Sequence, residues 1–85
     1  GLALVQIGNQ WGYVDKSGKV AIEPKYSFAS SFSDGLAAVK INDRWGFIDT
    51  SGKVAIAPQF EEVGSFVEGM ARVKLDEKWG YIRKP

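Results

Sequence analysis

The sequence predicts an all-β chain in which tandem 34-residue repeats of short antiparallel strands form a twisted repetitive array. The first observation is a Trp-Gly pair that returns at a constant step of 34 residues, at Trp11, Trp45 and Trp79. The second is an alternation of apolar and polar residues with a period of two, which is typical of half-buried strands. The third is a cluster of turn-forming residues after each alternating run. The alternative is a small closed β-barrel, because closure removes the exposed edges of a sheet.

Each repeat opens with a predicted hairpin. In residues 2–7 the odd-numbered positions share one face, and this face stays apolar in the corresponding runs 36–41 and 70–75. The opposite face changes from Leu4 in the first copy to Arg72 in the third. Short polar segments then predict hairpin turns. The second strands follow at residues 11–15, 45–49 and 79–83.

The second strand of each hairpin carries a glycine directly after its tryptophan. Glycine inside a strand usually marks a bulge or the close approach of a bulky neighbour. We expect a neighbouring ring to lie over Gly12, Gly46 and Gly80, which would explain why these positions have no side chain.

A tight turn leads from the second strand into a third. The segment Asp15–Lys19 predicts a type I turn closed by a glycine with positive φ, and its aspartate can accept hydrogen bonds from turn amides. Third strands are expected at residues 19–23 and 53–57. Pro24 and Pro58 are expected to end them, because proline donates no amide hydrogen to a strand ladder.

The connectors at residues 25–34 and 59–68 are predicted to be extended or single-turn loops pinned by aromatic side chains under their own hairpins. Their serines and glycines disfavour a helix. A tetratricopeptide repeat, which has the same length, is therefore rejected. The result is one domain, residues 1–85, with eight predicted strands. It comprises unit 1 (1–34), unit 2 (35–68) and a partial unit 3 (69–85).

Two longer signatures recur with the same spacing. They read Trp-Gly-Tyr-Val-Asp-x-x-Gly-Lys-Val-x-Ile-x-Pro-x-Tyr and Phe-Ser-Asp-Gly-Leu-Ala-x-Val. Together they resemble the WG repeat family of bacterial proteins, and the resemblance covers essentially the whole chain. It implies a tandem array that acts as a non-catalytic module, often attached to other domains or exported in bacteria. It implies no cofactor and no active-site residues.

Unit 3 departs from this pattern. Arg83 stands where Asp15 and Asp49 stand in the other units, and the glycine turn does not follow it. A complete third repeat is therefore not expected.

The composition excludes several classes of site. The chain has no cysteine and no histidine, so it contains no disulfide, thiolate metal site or histidine base. A net charge of +1 does not suit a nucleic-acid partner. No apolar run approaches the length of a membrane span. We expect no metal, no cofactor and no catalytic residues.

The charges are distributed unevenly among the units. Unit 1 has three basic and three acidic residues and a net charge of 0. Unit 2 has three basic and five acidic residues, which gives a net charge of −2, and unit 3 has five basic and two acidic residues, which gives a net charge of +3. The basic residues of unit 3 lie close to two aromatic residues, which predicts an interaction surface for phosphate or an acidic partner. The alternative is a solvated strand edge whose charges discourage aggregation. The candidate surface consists of Lys74, Lys78, Trp79, Tyr81, Arg83 and Lys84.

Two functions are compatible with these features. The first is a structural or protein–protein interaction module, a docking or accessory subunit of a larger bacterial assembly, with a protein partner. The second is a carbohydrate- or cell-wall-binding module that stacks exposed tryptophan and tyrosine rings on sugars. The opposing interpretation of the tryptophans is that they belong to the core, because a small chain needs their large buried area. An enzyme is not expected.

Overall fold

The computed structural model describes all residues, 1–85, and consists of strands and turns without a helix. The all-β prediction is confirmed. The ten strands are β1 (Ala3–Ile7), β2 (Gln10–Val14), β3 (Val20–Tyr26), β4 (Phe28–Ala29), β5 (Leu36–Ile41), β6 (Arg44–Asp49), β7 (Val54–Phe60), β8 (Glu62–Val63), β9 (Met70–Leu75) and β10 (Lys78–Arg83).

The strands form three separate antiparallel sheets rather than a closed barrel, so the alternative architecture is wrong. Their strand orders are β1-β2-β3, β4-β5-β6-β7 and β8-β9-β10. The sheets are arranged along an elongated body of 39 × 27 × 16 Å. This arrangement confirms a tandem array of repeats.

The connectors contain short strands that the sequence did not predict. Strands β4 and β8 lie in the connectors of units 1 and 2, but they pair with β5 and β9 of the next unit. Backbone hydrogen bonds therefore join each unit to the one after it. Two connector aromatics are pinned under their own hairpins as expected, since the ring centroid of Phe32 lies 4.8 Å from that of Tyr13 and the ring centroid of Phe66 lies 4.7 Å from that of Phe47. Phe28 is not pinned in this way, because its side chain is exposed.

The prediction that the third strands end at Pro24 and Pro58 is wrong. Each strand continues two residues past its proline, to Tyr26 and Phe60. The pairing register shifts here, so that three residues of β3 stand opposite Gly12. A proline is tolerated because β3 and β7 are edge strands and the bulge requires no amide hydrogen at this position.

The bulge also explains the strand glycines, and the expected aromatic ring is absent. A Cβ atom added to Gly12 would lie 2.6 Å from both the carbonyl oxygen of Ile22 and the nitrogen of Pro24. At Gly46 the equivalent atoms of β7 would be 2.6 and 2.7 Å away. At Gly80 nothing lies within 4 Å, because β10 has no third strand beside it.

The predicted turns are confirmed. Two-residue loops close the three hairpins, and in two of them both loop residues have positive φ, as type I′ turns require. Asp15 accepts hydrogen bonds from the amide of Ser17 at 2.9 Å and of Lys19 at 3.1 Å, and Gly18 has a φ of +88°. The turn at Asp49 repeats this geometry.

The core lies between units rather than within them. The aromatic face of one hairpin packs on the Ala-x-Val face of the next, and the two interfaces form two clusters. Between units 1 and 2 the buried residues are Tyr13, Ile22, Tyr26, Ala37, Val39 and Ile48. Between units 2 and 3 they are Leu36, Ala38, Phe47, Phe60, Phe66, Ala71 and Val73.

Candidate functional site

The candidate site is the outer face of unit 3, the side of the β9–β10 hairpin that points away from unit 2. The two strands pair in continuous antiparallel register, and directly opposite residues share a face. In units 1 and 2 the next unit covers the equivalent face, whereas no unit covers this one. The cross-strand pairs on the outer face are Met70–Arg83, Arg72–Tyr81 and Lys74–Trp79.

The aromatic residues of this face are exposed. The exposed fraction is 72% for Tyr81 and 51% for Trp79. The equivalent of Tyr81 is 0% exposed in unit 1, where it is Tyr13, and 1% exposed in unit 2, where it is Phe47. The aromatic residue at this position is therefore a core residue in units 1 and 2 and a surface residue in unit 3.

The two aromatics line an open pocket of about 280 Å³. Gly80 and Arg72 complete its lining. The guanidinium carbon of Arg72 lies 5.2 Å from the centroid of the Trp79 ring, which is the geometry of a cation–π contact. The pocket can therefore accept apolar or aromatic groups beside a cation.

Two of the predicted surface lysines are held by carboxylates. The ammonium of Lys74 lies 3.7 Å from Glu62 of β8, and that of Lys84 lies 3.6 Å from Asp34 of unit 1. The amide of Lys84 also donates to the carbonyl of Gly69 at 2.8 Å, which binds the end of the chain to the start of β9. These lysines are less available to a partner than the sequence indicated.

The other two basic residues of the predicted surface lie on different faces. Arg83 is on the outer face with the aromatics, and it forms no ion pair. Lys78 is paired with Leu75 at the turn end of the hairpin, on the opposite side of the sheet. The structure therefore brings together Trp79, Tyr81 and Arg83, and it separates Lys78 from them.

Sequence reasoning did not select Arg72 for the site. The signal was present, because an in-register hairpin places position 72 opposite Tyr81 and two positions away from Lys74. The same position is Leu4 in unit 1 and the buried Ala38 in unit 2, so an arginine is unusual for this face.

In unit 1 the connector covers the aromatic residue that corresponds to Tyr81, and this burial affects its hydrogen bonding and its pKa. The hydroxyl of Tyr13 donates to the backbone carbonyl of Ser30 at 2.5 Å. Burial raises the pKa of Tyr13 above its ordinary value, and it also raises the pKa of Tyr26. No connector lies around Tyr81 in the structure, and its side chain is exposed.

No group of three or more acidic, histidine or cysteine side chains is arranged to hold a metal ion. No helix in the structure is long and apolar enough to cross a membrane.

Comparison with protein families identifies two consecutive matches. A family model described as WG containing repeat matches residues 11–45 and again residues 45–79. The two matches share Trp45, and each spans one 34-residue step of the sequence repeat. Comparison with curated proteins and with solved structures finds no match.

Proposed function

Because the chain belongs to the WG-containing repeat family, we propose that it is a non-catalytic docking or accessory module of a larger bacterial assembly, and that it binds a partner protein through the outer face of unit 3. The observation that carries the proposal is the exposure of Tyr81 and Trp79, because the equivalents of Tyr81 in units 1 and 2 are buried and those of Trp79 are half-buried. Large aromatic side chains with an arginine beside them are the residues that most often dominate protein–protein binding energy.

The outer face has the layout of a small interface. Trp79, Tyr81 and Arg72 form its centre, and Lys74 and Arg83 lie on its rim. The net charge of +3 in unit 3 favours an acidic partner and faster encounter with it.

A non-catalytic role is supported by the chemistry of the pocket. Its charged side chain is Arg72, which neither gives up nor accepts a proton at neutral pH. A catalytic site would need convergent groups that transfer protons or form covalent bonds. Glu62 and Asp34, two carboxylates from other units that reach unit 3, are engaged with lysines.

Site-specific photocrosslinking in the native host tests the proposal. A photoreactive phenylalanine analogue replaces Tyr81 in one variant and Phe28 in another. Phe28 is a suitable control because it is an exposed aromatic residue, 54% exposed, on unit 1. We expect a discrete protein adduct from position 81 and none from position 28. Equal labelling from both positions, or no protein adduct from position 81, would contradict the proposal.

Carbohydrate binding is the second candidate, and the exposed pair of Trp79 and Tyr81 favours it. Sugars stack on a free aromatic face, but Arg72 covers part of the Trp79 ring. Titration with soluble cell-wall oligosaccharides, followed by tryptophan fluorescence, separates the two functions. A saturable change that the Trp79→Ala variant loses would support the carbohydrate function.

A further inference from the structure

Strand β9 lies between two tight turns, and each turn is bonded to a carboxylate from outside the β9–β10 hairpin. Glu68 and Gly69 form the turn before the strand, Asp76 and Glu77 form the turn after it, and all four residues have positive φ. The amides of Gly69 and Glu77 lie outside the strand ladders. A backbone amide outside a ladder needs another acceptor, and in both turns a side chain supplies it.

At the turn before β9 the acceptor is Asp34. Its Oδ2 accepts a hydrogen bond from the amide of Gly69 at 2.7 Å, and its Oδ1 lies 3.6 Å from the ammonium of Lys84. Beside it, the hydroxyl of Ser33 donates to the carbonyl of Phe66 at 2.6 Å. The turn that leads into β5 is therefore bonded to the turn that leads into β9.

At the turn after β9 the acceptor is Glu61, which lies between β7 and β8. Its Oε1 accepts a hydrogen bond from the amide of Glu77 at 2.9 Å, and its Oε2 lies 4.0 Å from the guanidinium of Arg44 at the start of β6. Glu61 therefore links the turn ends of two neighbouring hairpins. Hydrogen bonds from an amide to an ionised carboxylate are stronger than those between neutral groups.

The junction between units 1 and 2 lacks the contact that Glu61 makes. The equivalent residue is Ser27, whose hydroxyl donates to the carbonyl of Lys40 at 3.2 Å. The amide of Asp43, which corresponds to that of Glu77, has no side-chain acceptor. The carboxylate contact at the turn end of the hairpin is therefore specific to the junction between units 2 and 3.

From these contacts we infer that Asp34 and Glu61 form a two-point clamp, which fixes both ends of β9 to the preceding part of the chain and controls whether the β9–β10 hairpin opens as one body. Both points must release before Ala71 and Val73 of the hairpin separate from Phe47. The side chains of Asp34 and Glu61 are 33% and 32% exposed, so water can replace each contact without disturbing the core. This conformational device goes beyond the proposed function, because it depends on contacts between units and not on an exposed face.

Native-state hydrogen exchange of the intact 85-residue chain, followed for individual amides by NMR, tests the clamp. Asp34→Gly removes one point, because glycine tolerates the φ of +59° at this position, and Glu61→Ala removes the other. We expect each variant to lower the protection of the β9 amides at least about tenfold and the double variant about a hundredfold. The amides of β2 should keep their protection, which also shows that the variants fold.

Two further variants control for the change at Asp34. Asp34→Asn keeps an oxygen acceptor and tolerates positive φ, so it should retain most of the protection of β9. Glu68→Gly is the matched control, because Glu68 has the equivalent turn position with a φ of +52° and its carboxylate forms no hydrogen bond or ion pair. It adds the same flexibility without removing a contact, so its effect on β9 should be much smaller than that of Asp34→Gly.

Ser27→Glu is the reverse experiment, because it places a carboxylate at the equivalent position of unit 1. We expect the amide of Asp43 to exchange at least about threefold more slowly, as the new carboxylate accepts its hydrogen bond. An unchanged rate at Asp43 would contradict the assignment of the contact to a carboxylate at this position.

Three results in the exchange experiment would overturn the inference. Unchanged protection of β9 in the double variant would show that the two carboxylates do not hold the hairpin. Faster exchange confined to Gly69 in one variant and to Glu77 in the other would show separate fraying of the two turns. Equal losses in β2 and β9 would show that the hairpin opens only when the whole chain unfolds. Crosslinking at position 81 does not depend on these results, so the proposed function is tested separately.

Discussion

Strands β6 and β10 have almost the same sequence, Arg-Trp-Gly-Phe-Ile-Asp and Lys-Trp-Gly-Tyr-Ile-Arg, and opposite environments. Phe47 of β6 is 1% exposed, whereas Tyr81 of β10 is 72% exposed. The first strand has a neighbour on each side and a unit over its face, and the second has neither. The comparison teaches that the motif specifies a strand, while its burial depends on what packs against it.

The residues around β6 are also in close contact with neighbours, whereas those around β10 are exposed. Gly46 is in close contact with the bulge of β7, whereas Gly80 faces open space. Ala38 is buried next to Phe47, whereas the equivalent Arg72 is exposed and lies over Trp79. Unit 3 therefore retains the strand motif but carries a charged residue where unit 2 carries a core residue.

Of the paired substitutions, removal of the aromatic ring from β6 or from β10 should give the largest difference in the free energy of unfolding. Phe47→Ala opens a cavity in the core between units 2 and 3, and we expect a loss of about 3–5 kcal/mol in the free energy of unfolding. Tyr81→Ala removes an exposed ring, and we expect a change within about 0.5 kcal/mol. Urea unfolding followed by circular dichroism measures both. Similar losses in the two variants would show that Tyr81 is buried in solution.

Substitution of Gly46 or of Gly80 by alanine should give the next largest difference in the free energy of unfolding. In Gly46→Ala the added methyl group would collide with the carbonyl of Ile56 and the nitrogen of Pro58, which are backbone atoms and cannot rotate away. We expect a loss of about 1–3 kcal/mol or more. Gly80→Ala should lose nothing, and it should gain up to about 0.5–1 kcal/mol because alanine is less flexible than glycine in a strand.

The same urea experiment checks the glycine pair. If Gly46→Ala is as stable as the parent chain, the bulge of β7 does not approach Gly46 as closely as the structure shows.

Tyr13 provides a smaller test, because its equivalent in unit 2 is a phenylalanine. Tyr13→Phe keeps the ring and removes the hydrogen bond to Ser30, and we expect a loss of about 1 kcal/mol. The pKa of Tyr13 is raised in the folded state, so the unfolded chain loses its proton first as the pH rises above the usual value of 10.0. The stability of the parent chain should therefore fall in alkali.

The alkaline dependence distinguishes the hydroxyl from the ring. We expect Tyr13→Phe to show a shallower loss of stability above pH 10.0 than the parent chain, with the remainder due to Tyr26, whose pKa is also raised by burial. Thermal melts at a series of pH values measure this slope. An identical slope in both chains would show that Tyr13 titrates normally and is not buried.

The smallest effect is expected at the glycine turn, where β6 ends in Asp49 and β10 ends in Arg83. A hydrogen bond from the Ser51 hydroxyl is the main cause that lowers the pKa of Asp49, and backbone bonds from Ser51 and Lys53 add to it. Asp49→Ala should lower the urea midpoint by less than Tyr13→Phe does, because the turn is exposed. Arg83→Ala, the control at the equivalent position, should change it less.

The pH dependence of Asp49→Ala has a definite sign. A carboxylate with a lowered pKa stabilises the fold above its usual value and loses this contribution as the pH falls through the lowered pKa. The difference between the Asp49→Ala variant and the parent chain should therefore vanish in acid. A difference that persists unchanged at low pH would show that the carboxylate charge does not contribute.

Much of the fold could be predicted from local chemistry. The hairpins and the glycine turn depend on residues that are adjacent in sequence, so their location was predicted correctly. The course of the third strands past Pro24 and Pro58 was not, because it depends on a bulge that forms against Gly12 and Gly46 of another strand. The short strands β4 and β8 were missed because they contain two residues each and pair with the next unit.

The candidate site was predicted in part. The sequence indicated Trp79, Tyr81 and Arg83 as neighbours, and the structure places them on one face. It did not indicate that Lys74 and Lys84 are paired with carboxylates, because Glu62 and Asp34 belong to other parts of the chain. It also did not select Arg72, whose role depends on the register of the hairpin.

The sequence by itself determined the repeat length, the strand class and the turns, because alternation, glycine and aspartate act over a few neighbouring residues. Only the tertiary structure decided which copy of the Trp-Gly motif is buried. That outcome depends on an adjacent strand and an adjacent unit, which bury Phe47 and leave Tyr81 exposed although both follow the same Trp-Gly pair.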